Sequence, residues 1–322
     1  MRPPSFIFMR VEIRPMAQRH TLAEIRERTY KSRDAWWTVW LVDPLASRLV
    51  WLVSPWRWVT PNRLTVSAFV LGLGSAAAFW HQGYAWLLLG AALFHLSFVL
   101  DCMDGKIARL NGTGSAFGAW LDYVFDRLRV LACAIGLFGG EYHRTHDFGY
   151  LWLGLLVIFL DMFRYLNALE MGKVRGDMRR RLTEAGVVPT TPEASLNDEL
   201  QEDFRAQFGR FAAVRQFLVN NRIRVHLISG IEFMMFVFIV GPVIGQIKIT
   251  TIAISVGMIA FELLLIYKLW TNTKSFARRM AKVQAAHDAE ATGADLAGAP
   301  GSEPATGGAA AATTGSLETT SA

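Results

Sequence analysis

The chain has 322 residues, of which 52% are hydrophobic and only 19% are charged. An ordinary soluble domain carries about a quarter charged residues, so that class is excluded. The net charge of +6 does not indicate a nucleic-acid binder, because the Lys and Arg residues lie between apolar runs instead of forming a basic tract.

Residues 1–34 read as a polar arm dotted with Arg and lacking a sustained apolar core, so no cleavable signal peptide is expected. Within the arm, Thr21-Leu22-Ala23-Glu24 fits a capping box that opens a short helix. Residues 35–58 are dense in Trp but broken by Asp43, Pro44, Arg48 and Pro55. That pattern suits an amphipathic segment lying in a membrane interface better than one crossing it.

Six candidate spans follow, at about the 17–25 residues a bilayer requires. They are Leu64–Trp80, Tyr84–Leu100, Ala116–Gly140, Phe148–Leu169, Val225–Gly245 and Ile249–Leu269. The expected fold class is therefore all-α: a polytopic membrane protein with six transmembrane helices over residues 59–275 and an N-terminal interfacial segment. The connection 171–222 reads as an insert between spans four and five, and 276–322 as a disordered tail rich in Ala, Gly, Thr and Ser. The segment between spans four and five holds Lys173 and nine arginines from Arg175 to Arg224, and the loop between spans two and three holds Lys106 and Arg109. The opposite loops hold only Arg144 and Lys248, so both termini are expected in the cytosol. Of the two cysteines, Cys102 falls near one membrane face and Cys133 well inside, and no disulfide is expected.

Charges inside spans are costly and ask for a reason. Under this topology Asp101, Asp104, Asp122, Asp126, Asp161, Glu232 and Glu262 all fall in the cytosolic half. One polar cavity opening to the cytosol accounts for them. Asp161 and Arg164 form either a self-satisfied pair or part of that cavity, and Glu232 and Glu262 either bond to neighbouring helices or line it. Asp101 and Asp104 are i, i+3, while Asp122 and Asp126 are i, i+4, so each pair shares a helix face. Gly112 and Gly114 permit a tight return that lets the two faces meet. Such an all-oxygen set suits hard divalent cations, Mg²⁺ or Mn²⁺, and two of them clamp a diphosphate.

The stretch Asp101-x2-Asp104-Gly105-x2-Ala108-Arg109-x8-Gly118-x3-Asp122-x3-Asp126 resembles the signature of the CDP-alcohol phosphotransferase family. The resemblance implies an integral-membrane transferase that moves a phosphoalcohol from a CDP-linked donor to an acceptor hydroxyl and releases CMP. It implies Asp101, Asp104, Asp122 and Asp126 as ligands of two divalent ions, with Asp126 also the general base. Asn62, Asp101, Gly105, Ala108, Arg109 and Gly118 would bind the donor, CDP-diacylglycerol being favoured. A homodimer in the cell membrane is expected by the same resemblance, with the site facing the cytosol. For the acceptor, Arg164, Arg222, Arg224, His226 and Glu232 are candidates, the basic ones competing with simple positive-inside anchoring. Residues 165–177 are similar to the region after span four in actinobacterial phosphatidylinositol-phosphate synthases, but Leu166 and Ala168 stand where those enzymes place basic side chains. An intramembrane prenyltransferase acting on a diphosphate and a cation transporter are the alternatives. Against the first stands the single compact cluster, and against the second its off-centre position and the lack of a repeat.

Overall fold

The computed structural model describes residues 20–56, 58–186, 216–218, 220–224 and 228–297. Regular structure among them is helical, apart from an isolated bridge between Asp34 and Ile223. Helix α1 (Leu22–Thr29) opens with the expected capping box between Thr21 and Glu24. The Thr21 amide hydrogen bond holds the exposed Glu24 carboxyl below its usual range. A π-helical turn, Thr38–Val42, leads into α2 (Asp43–Val53). The long helices follow: α3 (Pro61–His81), α4 (Tyr84–Asn111), α5 (Ala116–Ala134) and α7 (Gly149–Glu184). A second π-helical turn, Ile135–Gly139, joins α5 to the short α6 (Gly140–Thr145). The chain resumes in α8 (Gly230–Met235), a third π-helical turn (Phe236–Val240) and α9 (Gly241–Ile244), and closes with α10 (Ile247–Ala297).

Among the described residues, α3, α4, α7 and α10 are long and apolar enough to cross a membrane by length and composition. The other two expected spans are the broken run from α5 through α6, and the shorter apolar run Gly230–Ile244. Leu151, Leu155, Phe159, Met162, Leu166 and Leu169 form an exposed apolar stripe along α7. Such a stripe fits contact with lipid chains, where no water penalises it. The buried core gathers Phe79, Phe94, Phe138, Phe233, Phe238 and Met258.

Local chemistry sets the start and end of each element. Thr60 caps α3 by accepting from the Arg63 amide, with Pro61 in the first turn, where its missing N–H costs nothing. Gly112 ends α4 at φ 63°, a left-handed conformation that a side chain would oppose. Ser115 caps α5 through the Gly118 amide at 3.0 Å. Central α3 packs on α4 through small residues. Ser75 Oγ donates to the Gly90 carbonyl at 2.7 Å, and Ser97 Oγ to that of Ala68 at 2.6 Å. These bonds satisfy hydroxyls that hydrocarbon would leave without partners.

Two boundaries differ from the sequence reading. Helix α7 runs on to Glu184, into the expected insert, and α10 to Ala297, past the expected start of a disordered tail at 276. At about 1.5 Å per residue both helices outreach the hydrocarbon layer of about 30 Å. The α7 extension carries its own stabilising pairs at helical spacing: Glu170 with Lys173 at 2.6 Å, and Asp177 with Arg180 at 2.8 Å and Arg181 at 2.9 Å. Its side chains Val174, Asp177 and Met178 adjoin Thr273 and Phe276 of α10, so the two extensions lie side by side. Cys102 and Cys133 are both free, as expected.

The N-terminal segment is fastened to α4 by a buried charge cluster. Asp43 accepts from Lys106 Nζ at 2.6 Å and from Arg222 Nη2 at 3.0 Å, with the Asp43 and Lys106 side chains almost wholly enclosed. The Tyr30 ring lies under both cations, 4.2 Å from the Arg222 guanidinium and 4.9 Å from Lys106 Nζ. Removing one member of a buried pair leaves the other uncompensated, at a cost of about 3–5 kcal/mol. Asp43→Ala is therefore expected to release this segment. Faster proteolytic cleavage between α1 and α2 would report it, and an unchanged cleavage rate would count against the clamp.

Candidate active site and metal centre

The predicted motif begins on α4 and ends on α5, and the Gly112 turn folds the two halves together. Asp101, Asp122 and Asp126 each bring one carboxylate oxygen within 4.8 Å of the other two. Asp104 is not one of this trio. It is buried one turn further along α4, and its Oδ2 accepts a hydrogen bond from the Thr65 hydroxyl of α3. Three carboxylates this close repel one another unless a cation offsets them. The Asp122 Oδ1 atom is buried and has no hydrogen-bond partner among the described residues. An unpartnered buried carboxylate oxygen in an all-oxygen cluster fits a hard divalent cation, so the residues present suit the metal the motif implies.

Arg129, which the sequence reading passed over, is built into this cluster. It is 2% exposed. Its Nη1 donates to Ser97 Oγ at 3.1 Å and to Asp101 Oδ1 at 3.4 Å, and its Nη2 bonds to Asp126 Oδ1. Arg127 was also missed; its Nη2 lies 3.9 Å from Asp126 Oδ2, but its closer partners lie on α7. It pairs with Asp161 of α7, and its guanidinium stacks 3.5 Å above the Tyr165 ring. The signal was present in the sequence: two arginines inside an apolar run ask for partners as plainly as the aspartates do.

The donor-binding candidates gather beside the acids. Arg109 Nε donates to the Thr29 carbonyl at 3.1 Å, which ties the motif to the end of α1. A Cβ on Gly105 would stand 3.4 Å from Arg109 Nη1, an ordinary contact distance, so the bare glycine leaves a shallow notch beside the arginine that alanine would line without a clash. Ala108 is half-buried between them. A Cβ on Gly118 would stand 3.0 Å from Asn62 Oδ1, which sets the first turn of α5 against the first turn of α3. A larger residue at 118 would force Asn62 away.

The acceptor candidates scatter. Asp161 takes Arg127 and not Arg164 as its partner, so the self-satisfied i, i+3 pair does not form. Arg164 reaches across to Glu262 of α10 at 3.2 Å, and Asn167 donates to the same carboxylate at 2.6 Å. Glu232 caps α8, its Oε2 accepting from the Ser229 amide at 3.1 Å and from the Ser229 hydroxyl, while its Oε1 is buried without a partner among the described residues. Arg222 bonds to Asp43 and to the Lys31 carbonyl, and Arg224 pairs with Asp34 at 3.5 Å. His226 lies outside the described residues.

Apolar crossing helices around a carboxylate trio, with an arginine and a glycine notch beside it, define an integral membrane protein with an acidic centre suited to a divalent metal. Residues 58–184 match the family model described as CDP-alcohol phosphatidyltransferase. That part of the chain is thus similar to the transferase family whose signature the motif resembles, and the match ends with α7. Over 68 residues the chain is 44% identical to the bifunctional IPC transferase and DIPP synthase of Aquifex aeolicus, covering 21% of this chain and 15% of that one. Over 88 residues it is 36% identical to the phosphatidylinositol phosphate synthase of Corynebacterium glutamicum, covering 27% and 37%. Over 86 residues it is 38% identical to the CDP-diacylglycerol–glycerol-3-phosphate 3-phosphatidyltransferase of Cereibacter sphaeroides, covering 26% and 38%. The aligned segments span less than half the length of each of these relatives.

Proposed function

We propose that this protein transfers a phosphatidyl or related phosphoalcohol group from a CDP-linked donor, CDP-diacylglycerol in the first instance, to an acceptor hydroxyl, and releases CMP. The observation that carries the reading is the convergence of Asp101, Asp122 and Asp126 in register with Gly105 and Arg109. Asp101, Asp122 and Asp126 would hold divalent metal, Mg²⁺ or Mn²⁺, with Asp104 one turn away completing a site for two ions. When bound, the metal supplies positive charge that offsets the donor diphosphate and its leaving phosphate. Arg109 offers a fork of donors to the same phosphates, and the notches at Gly105 and Gly118 give the nucleotide room to approach the backbone.

Asp126 takes the proton of the acceptor hydroxyl as that oxygen attacks the phosphorus of the non-nucleotide half. A new phosphorus–oxygen bond forms, the bond to the CMP phosphate breaks, and CMP departs with the electron pair. In this reading six helices cross the cell membrane, both termini are cytosolic, and the active form is a homodimer. An anionic acceptor at Arg222, Arg224 or Arg164 would have to displace Asp43, Asp34 or Glu262 respectively, while the Glu232 oxygen left unpartnered among the described residues suits an acceptor hydroxyl.

The test is CMP release by purified protein in nanodiscs supplied with CDP-diacylglycerol and Mn²⁺ or Mg²⁺. The acceptor panel is glycerol 3-phosphate, serine, inositol and inositol 1-phosphate. Release that needs both a metal and one acceptor is the expected result. Absence of release with every acceptor, together with no binding of CDP-diacylglycerol, would overturn the phosphatidyl assignment.

A further inference from the structure

We propose that Arg129 is a built-in counter-cation of the acidic cluster: it holds Asp101 and Asp126 in register and competes with divalent metal for them. The proposal rests on the metal reading above and assigns a residue that the motif does not contain.

Four observations carry it. The guanidinium is buried and touches two of the three clustered carboxylates, one on each helix of the motif. Ser97 fixes it from a third direction, so its position is set by α4 as well as by its own helix. Its stem runs through a gap in α3 that only glycine leaves: a Cβ on Gly72 would stand 2.6 Å from Arg129 Cγ and 2.8 Å from Cδ. Finally, Arg127 pairs with Asp161 and stacks on Tyr165, and its Nη2 stays 3.9 Å from Asp126 Oδ2, so Arg129 makes the closer contact with the trio.

The physical consequence follows from charge. A trio of carboxylates without an internal cation would draw divalent ions strongly and would splay apart without them. A fixed guanidinium against Asp101 and Asp126 offsets part of the repulsion and keeps the acids together. It also repels an arriving divalent ion a few ångströms away. At short range in a partly buried site that repulsion is worth at least about tenfold in metal affinity. Arg129 therefore acts as a positioning residue whose signature is a metal affinity, in addition to any effect on activity.

The experiment measures Mn²⁺ binding to donor-free protein by electron paramagnetic resonance, and thermal unfolding with and without Mn²⁺. The proteins are wild type, Arg129→Gln, Arg129→Lys and Gly72→Ala. Arg129→Gln is expected to bind Mn²⁺ at least about tenfold more tightly than wild type. It should unfold at a lower temperature in chelator and recover most of that loss when Mn²⁺ is added. Arg129→Lys keeps a charge without the fork and should fall between the two. Gly72→Ala pushes the stem aside while keeping the charge, and should shift affinity in the same direction as Arg129→Gln. If Arg129→Gln does not fold, the lysine variant and Gly72→Ala carry the same test. Wild type that binds Mn²⁺, with variants that bind it no more tightly and lose stability equally with and without it, would reduce Arg129 to a packing element. Folded wild type that takes up no Mn²⁺ would instead overturn the metal reading itself, and this proposal with it.

Discussion

Asp126→Asn is expected to lower metal-dependent CMP release by at least about a thousandfold while leaving the protein folded. The magnitude combines two losses. A positioned base contributes about 10²–10⁴-fold to a step in which a neutral hydroxyl attacks. The same substitution removes one charge from a trio whose oxygens lie within 4.8 Å of one another and so weakens metal binding as well. Asparagine keeps the shape and still offers Arg129 an oxygen, so the helix pair has no reason to open. Asp122→Asn gives the informative contrast. Its Oδ1 has no partner among the described residues, so its loss should act mainly through the metal and should be partly reversed by raising Mn²⁺. Asp126→Asn should not be reversed that way. Release measured across a Mn²⁺ series separates the two. A deficit below tenfold in Asp126→Asn, or full rescue by metal, would move the base role to another residue.

The second large effect is on stability and lies at the far end of the α3–α5 contact. A Cβ on Gly136 would stand 2.9 Å from the carbonyl carbon and 3.0 Å from the Cα of Ala76, with the carbonyl oxygen closer still. The obstacle is backbone and cannot rotate away, so the helices must separate. Overpacking of this kind costs about 1–3 kcal/mol or more. Because α3 also packs on α4, the displacement propagates toward the motif. Gly136→Ala should therefore lower the unfolding temperature in detergent, read by tryptophan fluorescence, and Gly136→Leu should not yield folded protein. Gly172→Ala is the matched control. No described residue lies within 4 Å of its Cβ position on the α7 extension, and alanine is the better helix former by about 0.8–1.0 kcal/mol. That variant should be neutral or slightly stabilised. Equal behaviour of the two glycines would remove the case for a backbone contact at Gly136.

Much of this molecule was legible in the residues. Hydropathy located the helical segments, because a bilayer demands apolar length and satisfied backbone whatever the neighbours do. The capping box at Thr21 and the turn at Gly112 followed from local hydrogen bonding and backbone freedom. The eight specified motif positions carried the resemblance that the family match over residues 58–184 supports, since their spacing decides which side chains share a helix face. Helices α7 and α10 run beyond the apolar spans that hydropathy marks, into polar sequence. Charge pairs at i, i+3 and i, i+4 support an exposed helix as well as apolar spacing supports a buried one.

What the sequence by itself determined is therefore the class of site and the faces that carry it. Only the tertiary structure decided which faces meet. It set Asp104 against Thr65 and kept it out of the trio, gave Asp161 to Arg127 and Arg164 to Glu262, and engaged Arg222 and Arg224 with the N-terminal segment. It also drew Arg129 into the acidic centre through the gap at Gly72. The reason is physical. Periodicity fixes where a side chain points from its own helix axis, whereas an ion pair between helices depends on their relative rotation, crossing and depth. Those follow from packing small residues such as Gly72, Gly90 and Gly136 against the whole of a neighbouring surface.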